Sequence, residues 1–454
     1  MFPAMLAYLL LVLIRPQDYP ELVDSFALPL QPIALLVAAG FWMLSPRKNF
    51  DAPQYAVLLM FFVVLMVSHV FNGYIGGALE QLNKFAPVLL AFVVFANGMD
   101  SRTRVLRIMA MFSVCAAIIS IHGIEQVQLG TGWTGIGLSQ GTRIQYVGIF
   151  NDPNDLGMLF VACVPMAAYL SSRGGLMGLR RLFWWIVTGV LVYGIYLTDS
   201  RGSLLGLLVV LGLYVWQTRG VFVAGVLGTM AVGVLLALPS RFNEIDVEEA
   251  SAQGRVDSWY EGVQMFIGHP IFGVGPDMYS DYHHLTAHNS FVLVMAETGI
   301  IGYTLWLAFI LYGFRMMWAA SRGMGQPVSR DEEAPDDERD AELDAAAAAG
   351  ADVDALLAAE DARDASIAEG RGIAMALLLS LAGFFTCAFF LSRSYVVILY
   401  LLAAVVVAHY VDMRRDDPSL PHFTLSKDFL LLPIIGVVAT IGLMVVVKVL
   451  LVIQ

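Results

Sequence analysis

The chain has 454 residues, of which 58% are hydrophobic and only 14% charged, with a mean hydropathy of +0.72, and this composition excludes an ordinary soluble domain. The formal charge of −12 is local. Residues 331–370 hold fifteen Asp/Glu and two Arg, and the remainder is close to neutral, so the acidity carries no information about what the rest of the chain binds. Three cysteines, Cys115, Cys163 and Cys387, all lie in apolar segments without CxxC spacing; they read as small buried hydrophobes, not as a disulfide framework or a thiolate metal site.

Thirteen apolar segments run along the chain, at 1–14, 27–45, 54–72, 83–98, 104–124, 153–171, 182–198, 203–217, 221–239, 289–314, 372–391, 395–411 and 428–450. Most are long enough to cross a bilayer as helices. The first lacks a basic leading region and a small-residue cleavage site, and is expected to be a retained helix and not a signal peptide. The expected fold class is an all-α integral membrane protein with about 12–13 transmembrane helices. Basic residues are divided unevenly between alternate loops, with 18 of the 26 Lys/Arg on one side and 8 on the other. The rule that cytoplasmic loops are Lys/Arg-rich puts the N-terminus inside and the 240–288 loop outside, at the periplasmic face of a bacterial inner membrane.

On that outer side the basic residues stand out because the charge rule disfavours them there. Arg143 lies in GTRIQYVGIFNDPND, Arg201 in TDSRGS, Arg241 and Arg255 in the large loop, and Arg393 in LSRSY. Arg201 and Arg393 each fall between two apolar segments, which places a guanidinium at the depth of a lipid phosphate. Arginine suits that ligand because its planar fork binds phosphate through two bonds and stays charged. The competing reading is simple snorkelling to the headgroups. Asp152 and Asp155 in NDPND fit either a carboxylate pair or turn and cap chemistry.

In the large loop, Val256, Trp259, Val263 and Phe266 form one stripe of a short helix ended by Gly268, His269 and Pro270. This helix is expected to lie in the interface plane with Trp259 at headgroup level and Arg255 near its N-terminal end; a lid packed on the helix bundle is the other reading. FGVGPDMY is a tight turn able to bring its backbone close to a ligand or to another helix. His288 precedes Asn289 and Ser290, either of which can cap the following helix, so His288 is expected at a rigid, solvent-reachable helix mouth where it can take a proton from a hydroxyl near neutral pH. His284 and His288 are four apart, but no third ligand accompanies them. Glu297, nine residues on, is too far along the helix to orient His288 directly. His69, His122 and His409 fall in or at the ends of apolar segments and read as packing or hydrogen-bonding residues. The acidic, Ala-rich run to residue 370 reads as a solvated insertion or a docking segment for a cytoplasmic partner.

Four segments, GIFNDPNDLG (148–157), TDSRGSLLG (198–206), GRVDSWYEGVQMFIGHPIFGVGPDMY (254–279) and HNSFVLVMAETGIIGY (288–303), occur in an order that resembles the O-antigen ligase/polymerase superfamily of membrane glycosyltransferases. The resemblance implies a GT-C-like fold and a glycan donor on undecaprenyl pyrophosphate. It implies transfer to an acceptor hydroxyl with inversion, and neither metal nor other cofactor. The acceptor would be lipid A-core, another glycan or a protein. On the motif positions it implies that Arg201 and Arg255 bind the pyrophosphate and that His288 is the base or orients the acceptor. Arg143, Arg393, Asn154 and Tyr260 are further candidates for donor or glycan contacts. The implied organisation is N-terminal transmembrane helices at 1–239, a periplasmic loop domain at 240–288 with short interfacial helices, a transmembrane helix at 289–314, a cytoplasmic insertion at 315–371 and C-terminal transmembrane helices at 372–454. A polysaccharide polymerase would use the same chemistry. A transporter or flippase would instead need ionisable groups at mid-membrane, and a purely structural or signalling membrane protein would leave the outer arginines unexplained.

Overall fold

The computed structural model describes residues 1–21, 29–46, 48–173, 178–237, 245–322 and 352–453. Arg241 and the greater part of the acidic insertion lie outside the described residues. Among those described, the protein is helical, with two isolated bridges, Thr131 to Gly137 and Ser139 to Arg143, as its only extended pairings.

All thirteen apolar segments fall in helices. They are α1 (Phe2–Leu13), α2 (Leu30–Leu44), α3 (Pro53–Phe71), α4 (Ile75–Gly98), α5 (Arg102–Leu129), α6 (Pro153–Ser172), α7 (Leu179–Leu197), α8 (Arg201–Arg219) and α9 (Val221–Ala237). After a loop helix, α10 (Ile245–Gly268), and the short α11 (Tyr279–Tyr282) come α12 (Ser290–Ser321), α13 (Val353–Ala388), α14 (Val397–Asp416), the short α15 (Leu425–Asp428) and α16 (Leu431–Ile453). Nine of these, among the described residues, are long and apolar enough to cross a membrane; the protein is a multi-pass, all-α membrane protein. Two helices begin earlier than hydropathy indicates. Helix α4 starts at Ile75, not 83, with Glu80 and Lys84 inside it, and α13 starts at Val353, not 372, so the end of the acidic run is helical. Charged residues in the first turns of each helix lower the mean hydropathy without interrupting the backbone bonds.

Helices α6, α12, α13 and α14 form the centre, and α8 and α16 the rim, where only 17% and 22% of their apolar windows are covered by protein. The core is dense in aromatic rings. Trp306 and Tyr303 of α12, Phe61 of α3, Phe85 and Phe92 of α4 and Tyr400 of α14 are all fully buried, and Phe85 meets Tyr400 edge-on at 5.2 Å. His122 and His409 are hydrogen-bonded core residues, His122 Nε2 to Thr134 Oγ1 at 2.8 Å and His409 Nε2 to Gly370 O at 2.9 Å, and His69 packs edge-on against Tyr74.

One irregularity positions the functional region. Helix α12 is broken at Gly299, whose φ of 61° and ψ of −166° no helix contains. Such a break frees backbone groups, and the 270–275 turn satisfies them. Ile300 N–H donates to Pro270 O at 2.8 Å, while Val274 and Gly275 N–H donate to Ala296 O and Glu297 O at 3.0 Å each. Ser68 of α3 donates to both Phe272 O and Glu297 O. The glycines of FGVGPDMY thus serve close approach to another helix.

Candidate active site

Four loops and one helix, α10, meet at the end of the bundle opposite the 99–101 and 417–424 connections. The NDPND segment comes first. Asp152 caps α6, its carboxylate accepting from Asn154 N–H at 2.8 Å and from the Asn154 side-chain amide at 2.8 Å. Asn154 Oδ1 accepts in turn from an Arg143 terminal nitrogen at 3.0 Å, and Arg143 Nε donates to Thr198 O at 2.9 Å. Arg143 therefore ties GTRIQ to both NDPND and TDSRGS. Close contact between the last two requires Gly157, because a Cβ there would collide with Ser203 Oγ. Arg201 is the first residue of α8, after the N-cap Ser200, whose hydroxyl accepts from Ser203 N–H. Its guanidinium is exposed at a helix N-terminus, where backbone N–H groups also favour an anion.

Arg255 lies well inside α10, which corrects the expectation that it stands near a helix N-terminus. The helix starts at Ile245 because the sequence upstream, IDVEEASAQG, is rich in Glu, Ala and Gln, good helix formers. No free N–H groups therefore accompany Arg255. In the apolar stripe of this helix, Trp259 is 6% exposed and packs edge-on against Phe389 at 5.5 Å, as in a lid packed on the helix bundle. The stripe serves to seat α10 on α12 and α16. Tyr260, the next residue, points away and is 41% exposed.

His288 sits immediately before α12. Asn289 is the N-cap and accepts from Phe291 and Val292 N–H at 2.8 and 3.1 Å. His288 itself takes a left-handed conformation, φ 46°, which turns it away from the axis of the helix that follows. The segment 283–289 is not helical, so His284 and His288 do not share a helical face. Among the described residues no group of three His, Cys, Asp or Glu is placed to hold a metal ion.

The LSRSY turn is latched onto the same helix mouth. Ser290 Oγ donates to Leu391 O at 2.6 Å and accepts from Arg393 N–H at 3.0 Å, while Ser394 Oγ donates to Ser290 O at 3.0 Å. The Arg393 fork is committed to Asp155, with Nε and a terminal nitrogen each 2.6 Å from one carboxylate oxygen. The sequence singles out both residues, Arg393 as an outer arginine and Asp155 as a partner of Asp152, but gives no sign that they pair with each other, 238 positions apart.

The electrostatics show which groups are neighbours. Burial and then the charges of Arg143 and Arg201 push Arg255 down from the ordinary arginine value, with Asp152 opposing. Burial and then Arg255, with Arg393 adding, push the His288 imidazole below its ordinary value, again against Asp152. Arg143, Arg201 and Asp152 thus neighbour Arg255, while Arg255, Arg393 and Asp152 neighbour the His288 imidazole. Arg143 is tied by side-chain bonds to Thr198 and Asn154, and Arg393 to Asp155. Cations concentrated in this way disfavour one another until an anion joins them.

Residues 186–307 match the family model described as O-antigen ligase. Over this segment the chain is similar to the O-antigen ligase superfamily. The match covers a minority of the chain and contains three of the four motif segments, with Arg201, Arg255 and His288; the NDPND segment, Arg143, Asn154 and Arg393 lie outside it. No curated protein matches the chain. This similarity supports a ligase- or polymerase-like glycosyltransferase activity with lipid and glycan partners.

Proposed function

We propose that the protein is an O-antigen ligase-like glycosyltransferase of the bacterial inner membrane. It moves a glycan from undecaprenyl pyrophosphate to an acceptor hydroxyl, on lipid A-core or another glycoconjugate, at the periplasmic face. The observation that carries this reading is the meeting of Arg201 and Arg255, from segments far apart in sequence, with their charges acting on one another and Arg255 acting in turn on His288.

The chemistry follows from the groups. His288, held neutral, accepts the proton of the acceptor hydroxyl. The acceptor oxygen attacks the anomeric carbon from the side opposite the pyrophosphate, forming a new glycosidic bond as the carbon–oxygen bond to phosphate breaks, with inversion. The electron pair leaves with undecaprenyl pyrophosphate, whose growing charge Arg201 and Arg255 take up in a partly dehydrated site. Arginine rather than a metal ion carries the leaving-group charge in this proposal. Arg143 and Asn154 hold the NDPND and TDSRGS segments in register beneath the phosphates, Arg393 and Asp155 hold the acceptor-side turn, and exposed Tyr260 is placed to meet the glycan.

The test is reconstitution of the full chain in vesicles with an undecaprenyl-pyrophosphate-linked glycan and either lipid A-core or a second lipid-linked glycan, with products read by mass spectrometry. Transfer to lipid A-core supports the ligase reading. Extension of the lipid-linked glycan replaces it with a polymerase, and release of neither product overturns it.

A further inference from the structure

Glu297 is a carboxylate only 1% exposed, at the last helical turn before the break in α12. Burying an acid in an apolar bundle is expensive, and an apolar residue of the same size would often stabilise the fold as well or better. Its partners are therefore informative. Tyr395 donates its hydroxyl to Glu297 Oε2 at 2.9 Å, and Tyr279 N–H approaches Oε1 at 3.4 Å. Each partner belongs to an element of the transfer site. Tyr395 is two residues past Arg393 in the turn latched to Ser290. Tyr279, itself buried, donates its hydroxyl to Ser258 O, about one turn past Arg255 on α10. The two oxygens of one carboxylate thus connect the two elements that flank His288.

We propose that Glu297 is a positioning residue of the transfer site, fixing through Tyr279 and Tyr395 the spacing between α10, which carries Arg255, and the turn that carries Arg393, on either side of His288. The inference rests on the transfer reading given above. Glu297 does not touch His288, the donor or the acceptor; it acts at a distance by setting how close the flanking cations stand.

The experiment uses the full-length protein in vesicles and three variants, Tyr395→Phe, Glu297→Ala and Glu297→Gln. Tyr395→Phe removes a single hydroxyl, and it keeps the test decisive should Glu297→Ala fold poorly. Two quantities are measured per folded molecule: the KM and kcat for the lipid-pyrophosphate donor, and the pH midpoint of carbethoxylation at His288, followed peptide by peptide by mass spectrometry. The groups facing His288 are Arg255 of α10, Asp152 at the start of α6 and Arg393 of the turn. Loosening the two cations is expected to raise the His288 midpoint by about half a pH unit and to raise the donor KM about tenfold in Tyr395→Phe and Glu297→Ala. Glu297→Gln retains an acceptor oxygen for Tyr395 and is expected to recover most of both. Unchanged KM and unchanged midpoint in Tyr395→Phe and Glu297→Ala, with only a lower Tm, would make Glu297 a scaffold residue and overturn the proposal. If the wild-type protein transfers no glycan, the functional reading fails, and the His288 midpoint still decides the positioning role independently.

Discussion

Arg255 and Arg393 show how differently one residue type is used within a single site. The Arg393 fork is filled by Asp155, whose side chain is 3% exposed, whereas Arg255 stands among other cations. Replacing Arg201 or Arg255 by Ala is expected to lower transfer by at least 100-fold, the scale of losing one donor to a leaving-group charge, with the protein still inserted and monodisperse. Near-normal turnover in both would count against the pyrophosphate clamp. Arg393→Ala is expected to act through stability, since it leaves a buried carboxylate unpaired at a cost of about 3 kcal/mol, read as a fall in Tm in detergent. The double variant Arg393→Met/Asp155→Leu then recovers most of the Tm, which a direct phosphate contact would not predict. The pH dependence follows from His288. Its midpoint lies below the ordinary 6.5, so the neutral, proton-accepting form prevails at pH 7. kcat/KM is therefore expected to be flat around neutrality and to fall only as pH drops through that lowered midpoint. An acid limb centred above pH 7 would reject His288 as the base.

At the scale of elements, the apolar segments were readable because lipid-facing and core-facing turns are both hydrophobic, so every helix of the bundle leaves a hydropathy signal. The same uniformity hid what matters most for the site. MAETGIIGY reads as an unbroken apolar helix, and only the 270–275 turn, distant in sequence, reveals that α12 opens at Gly299 to receive it. The length of α10 was also hidden, because its first half is acidic and carries no apolar stripe. A Cβ at Gly299 would run into the Ile271 backbone, and φ there is positive. Gly299→Ala is expected to cost more than about 2 kcal/mol and to release the turn from α12. Hydrogen exchange should report that release as lost protection at Val274, Gly275 and Ile300. Unaltered protection would mean that the turn holds its place without those bonds.

Across the whole molecule, polar groups gather at the two ends of the bundle and are put to different uses. At one end, cations from four segments gather near Asp152 and His288. At the other, acids surround one cation. The Arg102 side chain, 12% exposed, donates to Ser366 of α13 and to Asp416 of α14 at 2.9 Å, with Glu369 at 3.8 Å and Asp412 at 4.0 Å. Glu369 also pairs with Arg173 from the end of α6. The sequence placed these residues on the same side of the membrane, through the count of basic loops, but it could not pair them, since the partners come from four helices. The last part of the acidic insertion is accordingly a structural clasp, while its earlier part lies outside the described residues. A site at one end and a clasp at the other should respond independently. Arg102→Ala leaves several carboxylates without their shared cation, and the expected loss is about 3 kcal/mol of stability with donor KM and the His288 pH limb unchanged in the molecules that remain folded. The comparison is to be made per folded molecule, by titrating active protein after size-exclusion chromatography. A shift in donor KM would mean that α13 or α14 transmits strain along its length to the 389–396 turn, and the two ends could no longer be treated as separate.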